Sequence, residues 1–163
     1  MNWPRRNSMP APIWSAPGWP PRRCGSLAEE FRAQVYVRWS DQDVNGHVNN
    51  ARVATLLEEA RIQWRRHAAS AAAAAETTTL VASLTLHYRR PIEFGQDVDV
   101  DIWVARIGDR SYTMAYAGYQ DGNLVLDAST VMVSLDDATG KARALDARER
   151  DYLERYLRAE VPV

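Results

Sequence analysis

The ten residues DQDVNGHVNN, Asp41 to Asn50, decide how the rest of this chain is read. Their first six positions fit the opening of a calcium-binding loop, D-x-[DN]-x-[DN]-G. That reading fails at the twelfth position, where Arg52 stands instead of the bidentate glutamate that calcium requires. It fails again upstream, because such a loop is entered from a helix. In Gln34–Ser40 (QVYVRWS), Val35, Val37 and Trp39 alternate with Tyr36, Arg38 and Ser40, which is the period-two signature of a strand. A transition-metal site would need His47, Asp41 or Asp43 and a further ligand, and no local spacing brings in His67 or His87. No metal site is expected. Read alone, the stretch is also what turn and cap chemistry produces, since Asp, Asn and Gly favour loops and helix starts.

Downstream, NARVATLLEEARIQWRRH places Val53, Leu56, Leu57, Ala60 and Trp64 at spacings of three and four, one apolar stripe on a helix. Asn49 or Asn50 can cap it. An alanine run, Ala71–Ala75, either extends this helix or connects onward. TTTLVASLTLHYRRP (77–91) is rich in strand formers and ends at Pro91. VDVDIWVARI (98–107) alternates, a Gly-Asp turn at 108–109 leads into SYTMAYAGYQ, and Asp121-Gly122 marks a tight hairpin before NLVLDASTVMVSLD. Asp146 with Glu149 three residues on forms a capping-box start for ARERDYLERYL.

The expected order is strand, long helix, four strands, short helix. Four strands joined by short turns form an antiparallel sheet, and the apolar face of the helix needs a cover. The fold class is therefore α+β, with the sheet wrapped around the long helix.

The 163-residue length suits one domain with a sizeable core. A hydrophobic share of 46% and a charged share of 25% are ordinary for a globular protein. The net charge of −1 gives no bulk attraction to nucleic acid or anionic membrane. A lone cysteine, Cys24, excludes an internal disulfide framework and fits a reducing, cytoplasmic setting. No apolar run approaches the roughly 18–20 residues of a membrane span. Residues 1–30 read as a proline-rich leader, extended or disordered, because six of the eight prolines fall in the first 26 residues. Prolines also interrupt any apolar stretch that would make it a signal peptide. Trp3, Trp14 or Trp19 would dock it if it is held against the domain, a disordered tail being the alternative, and Met9 offers a second start. Residues 31–163 form the domain.

The string Arg38-Trp39-Ser40-Asp41-Gln42-Asp43-Val44-Asn45-Gly46-His47-Val48-Asn49-Asn50, continued by Leu57-Glu58-Glu59-Ala60-Arg61, resembles the signature of hotdog-fold acyl-CoA thioesterases. Within them it is similar to the 4-hydroxybenzoyl-CoA thioesterase type and its long-chain acyl-CoA thioesterase relatives. Those proteins carry D-x-D-x-x-G-H-V-N-N after the first strand and E-x-A-R on the helix that follows. Tyr88-Arg89-Arg90-Pro91 resembles a second family motif, and the likeness spans about residues 32–160.

The resemblance implies hydrolysis of an acyl-CoA to free acid and CoA. Asp43 would act as general base or nucleophile, with the Asn50 amide as oxyanion donor. Gly46 would allow the turn, while His47 and Asn49 would shape the loop. Glu58 is implied as a supporting residue and Ser111 as one near the site. Arg89, Arg90, Arg106 and Arg110 are candidates for the nucleotide end of coenzyme A. No cofactor is implied beyond the coenzyme A of the substrate, and the partner implied is a second copy, in a homodimer or tetramer. Two alternatives stand beside this reading. One is a non-catalytic acyl-CoA or acyl-carrier binder. The other is a hotdog hydratase or dehydratase, which pairs aspartate and histidine at a spacing of five; here Asp43 and His47 are four apart.

Overall fold

The computed structural model describes residues 28–29, 31–70 and 78–158. Most of the leader, the alanine run and the last five residues lie outside that set. The first helix, α1, covers Asn50–Ser70. Its predicted stripe is the buried face: Val53, Leu56, Leu57, Ala60 and Trp64 are all at most 5% exposed, and Ala68 extends the row. Each large aliphatic side chain buried in this way contributes about 1.5–3 kcal/mol.

The stripe lies against an antiparallel five-stranded sheet made of β1 (Phe31–Val35), β2 (Thr79–Tyr88), β3 (Val98–Ile107), β4 (Ser111–Gln120) and β5 (Asn123–Ser134). Their spatial order is β1-β3-β4-β5-β2. Alternation selects the inward rows: Val98, Val100, Ile102 and Val104 from β3, then Met114 and Tyr116 from β4. Gly118 follows in the same row because Leu126 fills the space there. A Cβ on residue 118 would stand 2.7 Å from the leucine side chain. This is the hotdog architecture.

The Asp121-Gly122 hairpin takes positive φ at both residues, 51° and 72°, as a type I′ turn demands. The second helix, α2 (Ala147–Arg155), starts with the expected capping box of Asp146 and Glu149. It docks on the C-terminal half of α1 through Trp64, Tyr152 and Tyr156, whose ring centroids lie 5.1–5.7 Å apart.

The first strand needs correction. The alternation was read over 34–40, but β1 begins at Phe31 and ends at Val35, and Trp39–Asp41 form a single 3-10 turn. Val37 is still buried, while Trp39 is 74% exposed. The reason is local. The Asp41 carboxylate accepts from the Arg38 N–H at 2.8 Å, curling the chain off the sheet before the third apolar position can face the core.

Edge strand β2 is the outlier in burial. Leu80, Val81, Leu84 and Tyr88 are 57, 40, 40 and 50% exposed. Among the described residues only one of its edges is paired, to β5, and the outer edge lies beside apolar side chains.

Candidate active site

The 41–50 loop is a compact backbone knot. The Asp43 N–H donates to the His47 carbonyl at 2.9 Å, and the Gly46 N–H donates to the Asp43 carbonyl at 3.0 Å. Gly46 sits at φ +79°, the left-handed region in which glycine carries no Cβ penalty. The Asn49 N–H closes the loop on the Asp41 carbonyl, and the Val48 N–H ties it to the fold through the Ile92 carbonyl, both at 2.8 Å.

The two aspartates divide the work. Asp41 is buried at 8% exposure, its side chain used by Arg38 and its carbonyl by Asn49. Asp43 is half-buried, and its Oδ1 accepts only the Asn45 N–H at 2.8 Å, in an Asx turn. One carboxylate is held inside the fold, and the other is partly open to solvent.

Helix starts leave N–H groups without helical partners. Here Asn49 satisfies two of them: its Oδ1 takes the Ala51 N–H at 3.0 Å and its carbonyl takes Arg52 at 2.8 Å, the same carbonyl accepting the first regular helical bond from Val53 at 3.2 Å. Of the two caps left open by the sequence, Asn49 is therefore the one used. The Asn50 N–H makes no hydrogen bond among the described residues. It is the donor left over at the positive end of the helix dipole. His47 contributes its carbonyl to the knot, and no hydrogen bond of its ring occurs among the described residues.

The other sequence candidates scatter. Glu58 lies eight residues along α1 from Asn50, about 12 Å of helical rise, and stands 3.8 Å from Arg61. Arg90 is exposed at the loop end of the sheet and donates to Asn123 Oδ1 at 3.1 Å. Arg89 is engaged by the buried carboxylate of Asp127, which also takes His87 Nδ1 at 2.8 Å. The hydrogen bond to Asp127 raises the Arg89 pKa.

Ser111 and Arg110 sit at the opposite end of the sheet. Ser111 pairs with Val133 beside the start of β2, whereas the loop end is marked by Gly118 and Leu126. Seven residue steps separate Ser111 from Gly118, about 24 Å of strand. Arg106 is exposed near the same far end. Within one protomer these residues and Asp43 do not meet.

Sequence reading missed the contacts that join α1 to β2. The Tyr88 hydroxyl donates to the Asn50 carbonyl at 3.0 Å, and Arg65 donates to Thr79 Oγ1 at 3.2 Å. The strand thus runs antiparallel to the helix, pinned at both ends. Between the pins lies a groove of about 240 Å³ bordered by Ala54, Glu58 and Arg61 on α1, Val81 and Leu84 on β2, and Thr130 on β5. Among the described residues there is no cluster of three or more His, Cys, Asp or Glu placed to hold a metal. No described helix is long and apolar enough to cross a membrane.

A hotdog sheet around a capped helix is the architecture of the thioester hydrolases that this chain matches. Residues 37–158 match the model of the thioesterase-like superfamily, and the chain belongs to that family. It is 29% identical over 132 residues to the long-chain acyl-CoA thioesterase FadM of Escherichia coli, covering 78% of this chain and all of that protein. It is also similar to a Thermus thermophilus thioesterase solved with coenzyme A and zinc. There the TM-score is 0.64 and the identity 27%, over 75% of this chain and 95% of that one. A thioesterase-superfamily structure from Jannaschia shares the fold at a TM-score of 0.75 and 18% identity, over 86% and 99% of the two chains.

Proposed function

We propose that this chain hydrolyses acyl-CoA thioesters, with Asp43 acting on water and the Asn50 N–H receiving the oxyanion. The observation that carries this reading is the pairing of a half-buried carboxylate in a tight loop with the one unused amide at the start of α1. A thioester demands little more. Its carbonyl is electrophilic, and a thiol of pKa about 8.5 leaves readily as thiolate. Asp43 removes a proton from water as the oxygen attacks the carbonyl carbon. The negative charge that develops on the carbonyl oxygen is met by the Asn50 N–H. Collapse of the tetrahedral intermediate breaks the carbon–sulfur bond, releasing free acid and the CoA thiolate. Direct attack by Asp43 through a mixed anhydride is the competing route, and incorporation of labelled water oxygen into the enzyme carboxylate in a single turnover separates the two. The relatives of this chain include a long-chain acyl-CoA thioesterase and a CoA-bound thioesterase, which favours coenzyme A as the carrier.

The working unit in this reading is a homodimer or a higher homo-oligomer. Ser111 and Arg110 lie at the far end of the sheet from Asp43, and β2 has, among the described residues, an unpaired, apolar edge. Antiparallel pairing of two β2 edges about a twofold axis would bring the Thr79 end of one copy beside the Tyr88 end of the other. Arg110 and Arg90 would then join one site, where the phosphates of coenzyme A need cations.

The test follows free thiol release from acyl-CoAs of graded chain length and from aryl-CoAs. Wild type should cleave them, and Asp43→Asn should lose at least about 10²-fold in kcat, the range of general-base removal. Equal rates would remove Asp43 from the mechanism. Tight binding without thiol release by either protein would favour a non-catalytic acyl-CoA binder.

A further inference from the structure

The groove between α1 and β2 has an apolar side and a polar one, the polar residues being Thr55, Glu58 and Arg61 on α1 and Thr130 on β5. The apolar side is Ala54 and Leu57 from the helix and Val81 and Leu84 from the strand. A β-bulge between Val81 and Ser83 puts Val81 and Leu84 on the same face, because it breaks the alternation that would set them on opposite sides. Val81 is opposite Met132 and Leu84 opposite Thr130, and both of those β5 residues face the helix.

Thr130 is fully buried, and its hydroxyl has no hydrogen bond within 3.5 Å among the described residues, the Tyr116 hydroxyl being a polar neighbour. The Arg61 side chain is 12% exposed and holds Glu58 only loosely, at 3.8 Å. Beneath them the fully buried Tyr116 hydroxyl has a weak contact, 3.5 Å to Met114 Sδ. Burial raises the Tyr116 pKa, and the neighbouring Thr130 hydroxyl and Arg61 guanidinium act in the opposite sense. A hydroxyl and a guanidinium therefore converge at one end of a cavity whose apolar side would suit a hydrocarbon.

The groove also lies in line with the proposed reaction centre. Asn50, Ala54, Glu58 and Arg61 fall at helical spacings of four, four and three, so they share one face of α1. Arg61 is eleven residues from Asn50, about 16 Å along the axis. A chain attached to a thioester carbonyl at the helix start would run down this face and end at Arg61 and Thr130.

We propose that Arg61 and Thr130, at the far end of the groove, select acyl groups that carry an oxygen function, hydroxyl or carboxylate, at the end remote from the thioester. This rests on the thioesterase reading for the position of the carbonyl, but the selectivity is a separate claim. An oxygen at the chain end accepts from Arg61 and bonds the Thr130 hydroxyl. A methyl end displaces water from both and replaces neither bond, which loses affinity. Sites built to bond a polar group discriminate strongly against the analogue that lacks it.

The experiment compares dodecanoyl-CoA, ω-hydroxydodecanoyl-CoA and the matching ω-carboxyacyl-CoA on the full chain. Expected is a kcat/KM at least about 10-fold higher for one or both oxygenated substrates than for dodecanoyl-CoA. In Arg61→Met and Thr130→Val the ratio should fall toward one, and Thr130→Ser should restore it. The two arms, hydroxyl and carboxylate, show which oxygen function this end of the groove prefers. Equal or faster cleavage of dodecanoyl-CoA, or variants that slow all three substrates alike, would overturn the proposal. Calorimetric Kd values for the same three ligands on Asp43→Asn decide the matter without turnover. If no substrate releases thiol from wild type, the hydrolase reading fails, yet tighter binding of the oxygenated chains still upholds the selectivity and equal or absent binding rejects it.

Discussion

The Tyr88 hydroxyl donates to the main-chain carbonyl of Asn50 at 3.0 Å, so the end of the edge strand is fastened to the first residue of the central helix. The bond orients the peptide next to the Asn50 N–H. Tyr88→Phe removes it while keeping the ring. Stability should change little, by about 0.5–1.5 kcal/mol as for a part-exposed hydrogen bond. Steady-state kinetics should show a larger effect on kcat/KM for acyl-CoA than the stability loss accounts for. An unchanged kcat/KM would detach this contact from the site.

Asp41 and Asp43 should separate stability from activity. Asp41→Ala leaves the Arg38 N–H without its acceptor and opens a buried position, a loss of about 1–3 kcal/mol, and thermal denaturation should show a fall of several degrees. Asp43→Asn keeps the Asn45 contact through its side-chain oxygen. It should therefore melt within about a degree of wild type while losing thiol release. A reversed pattern would exchange the roles of the two aspartates.

Gly46→Ala tests the knot. A Cβ there meets nothing within 4 Å, so the cost is conformational and not steric crowding by neighbours. Alanine at φ +79° is disfavoured by about 1–2 kcal/mol. Denaturant titration should show that modest loss, and activity should fall by more than tenfold, the larger effect arising because the turn sets Asp43 against Asn50.

Stability should decline in alkali. Burial pushes the Tyr112 hydroxyl up to about 12, with Arg65 and Arg61 opposing the shift, and burial also raises Tyr116 and Tyr152. Below about pH 10 the tyrosine is protonated in both states and contributes no pH dependence. Between about pH 10 and 12 the unfolded chain releases the proton while the folded chain retains it, so folding loses free energy as pH rises. For Tyr112 the loss is about 2–3 kcal/mol and levels off above its folded value. Urea midpoints measured across that range should fall steeply, and less so in Tyr112→Phe.

Charges on the β2 edge should separate the proposed dimer. Leu80 and Thr85 are exposed on that strand. In Leu80→Glu/Thr85→Glu, like charges meet across a twofold axis, which is destabilising at a strand pair. Sedimentation should show a shift to monomer with parallel loss of thiol release. A monomeric wild type that retains full activity would reject the shared site.

The order of elements, the buried stripe of α1, the hairpin at Asp121-Gly122 and the α2 cap were all legible from the residues alone. Each of these is local: side-chain periodicity, positive φ or a hydrogen bond between residues three apart decides it. The loop motif was local as well, and so Asp43, Gly46 and Asn50 stood out before any coordinates. The end of β1 was not legible, because the Asp41 carboxylate overrode an alternation that continued through Trp39. Only the tertiary structure decided that Arg89 is bound to Asp127, that Ser111 lies a strand's length from Asp43, and that Arg61 and Thr130 share a groove. These relations join residues distant along the chain, and strand order and register set them. No spacing along the sequence encodes which two side chains a folded sheet brings face to face.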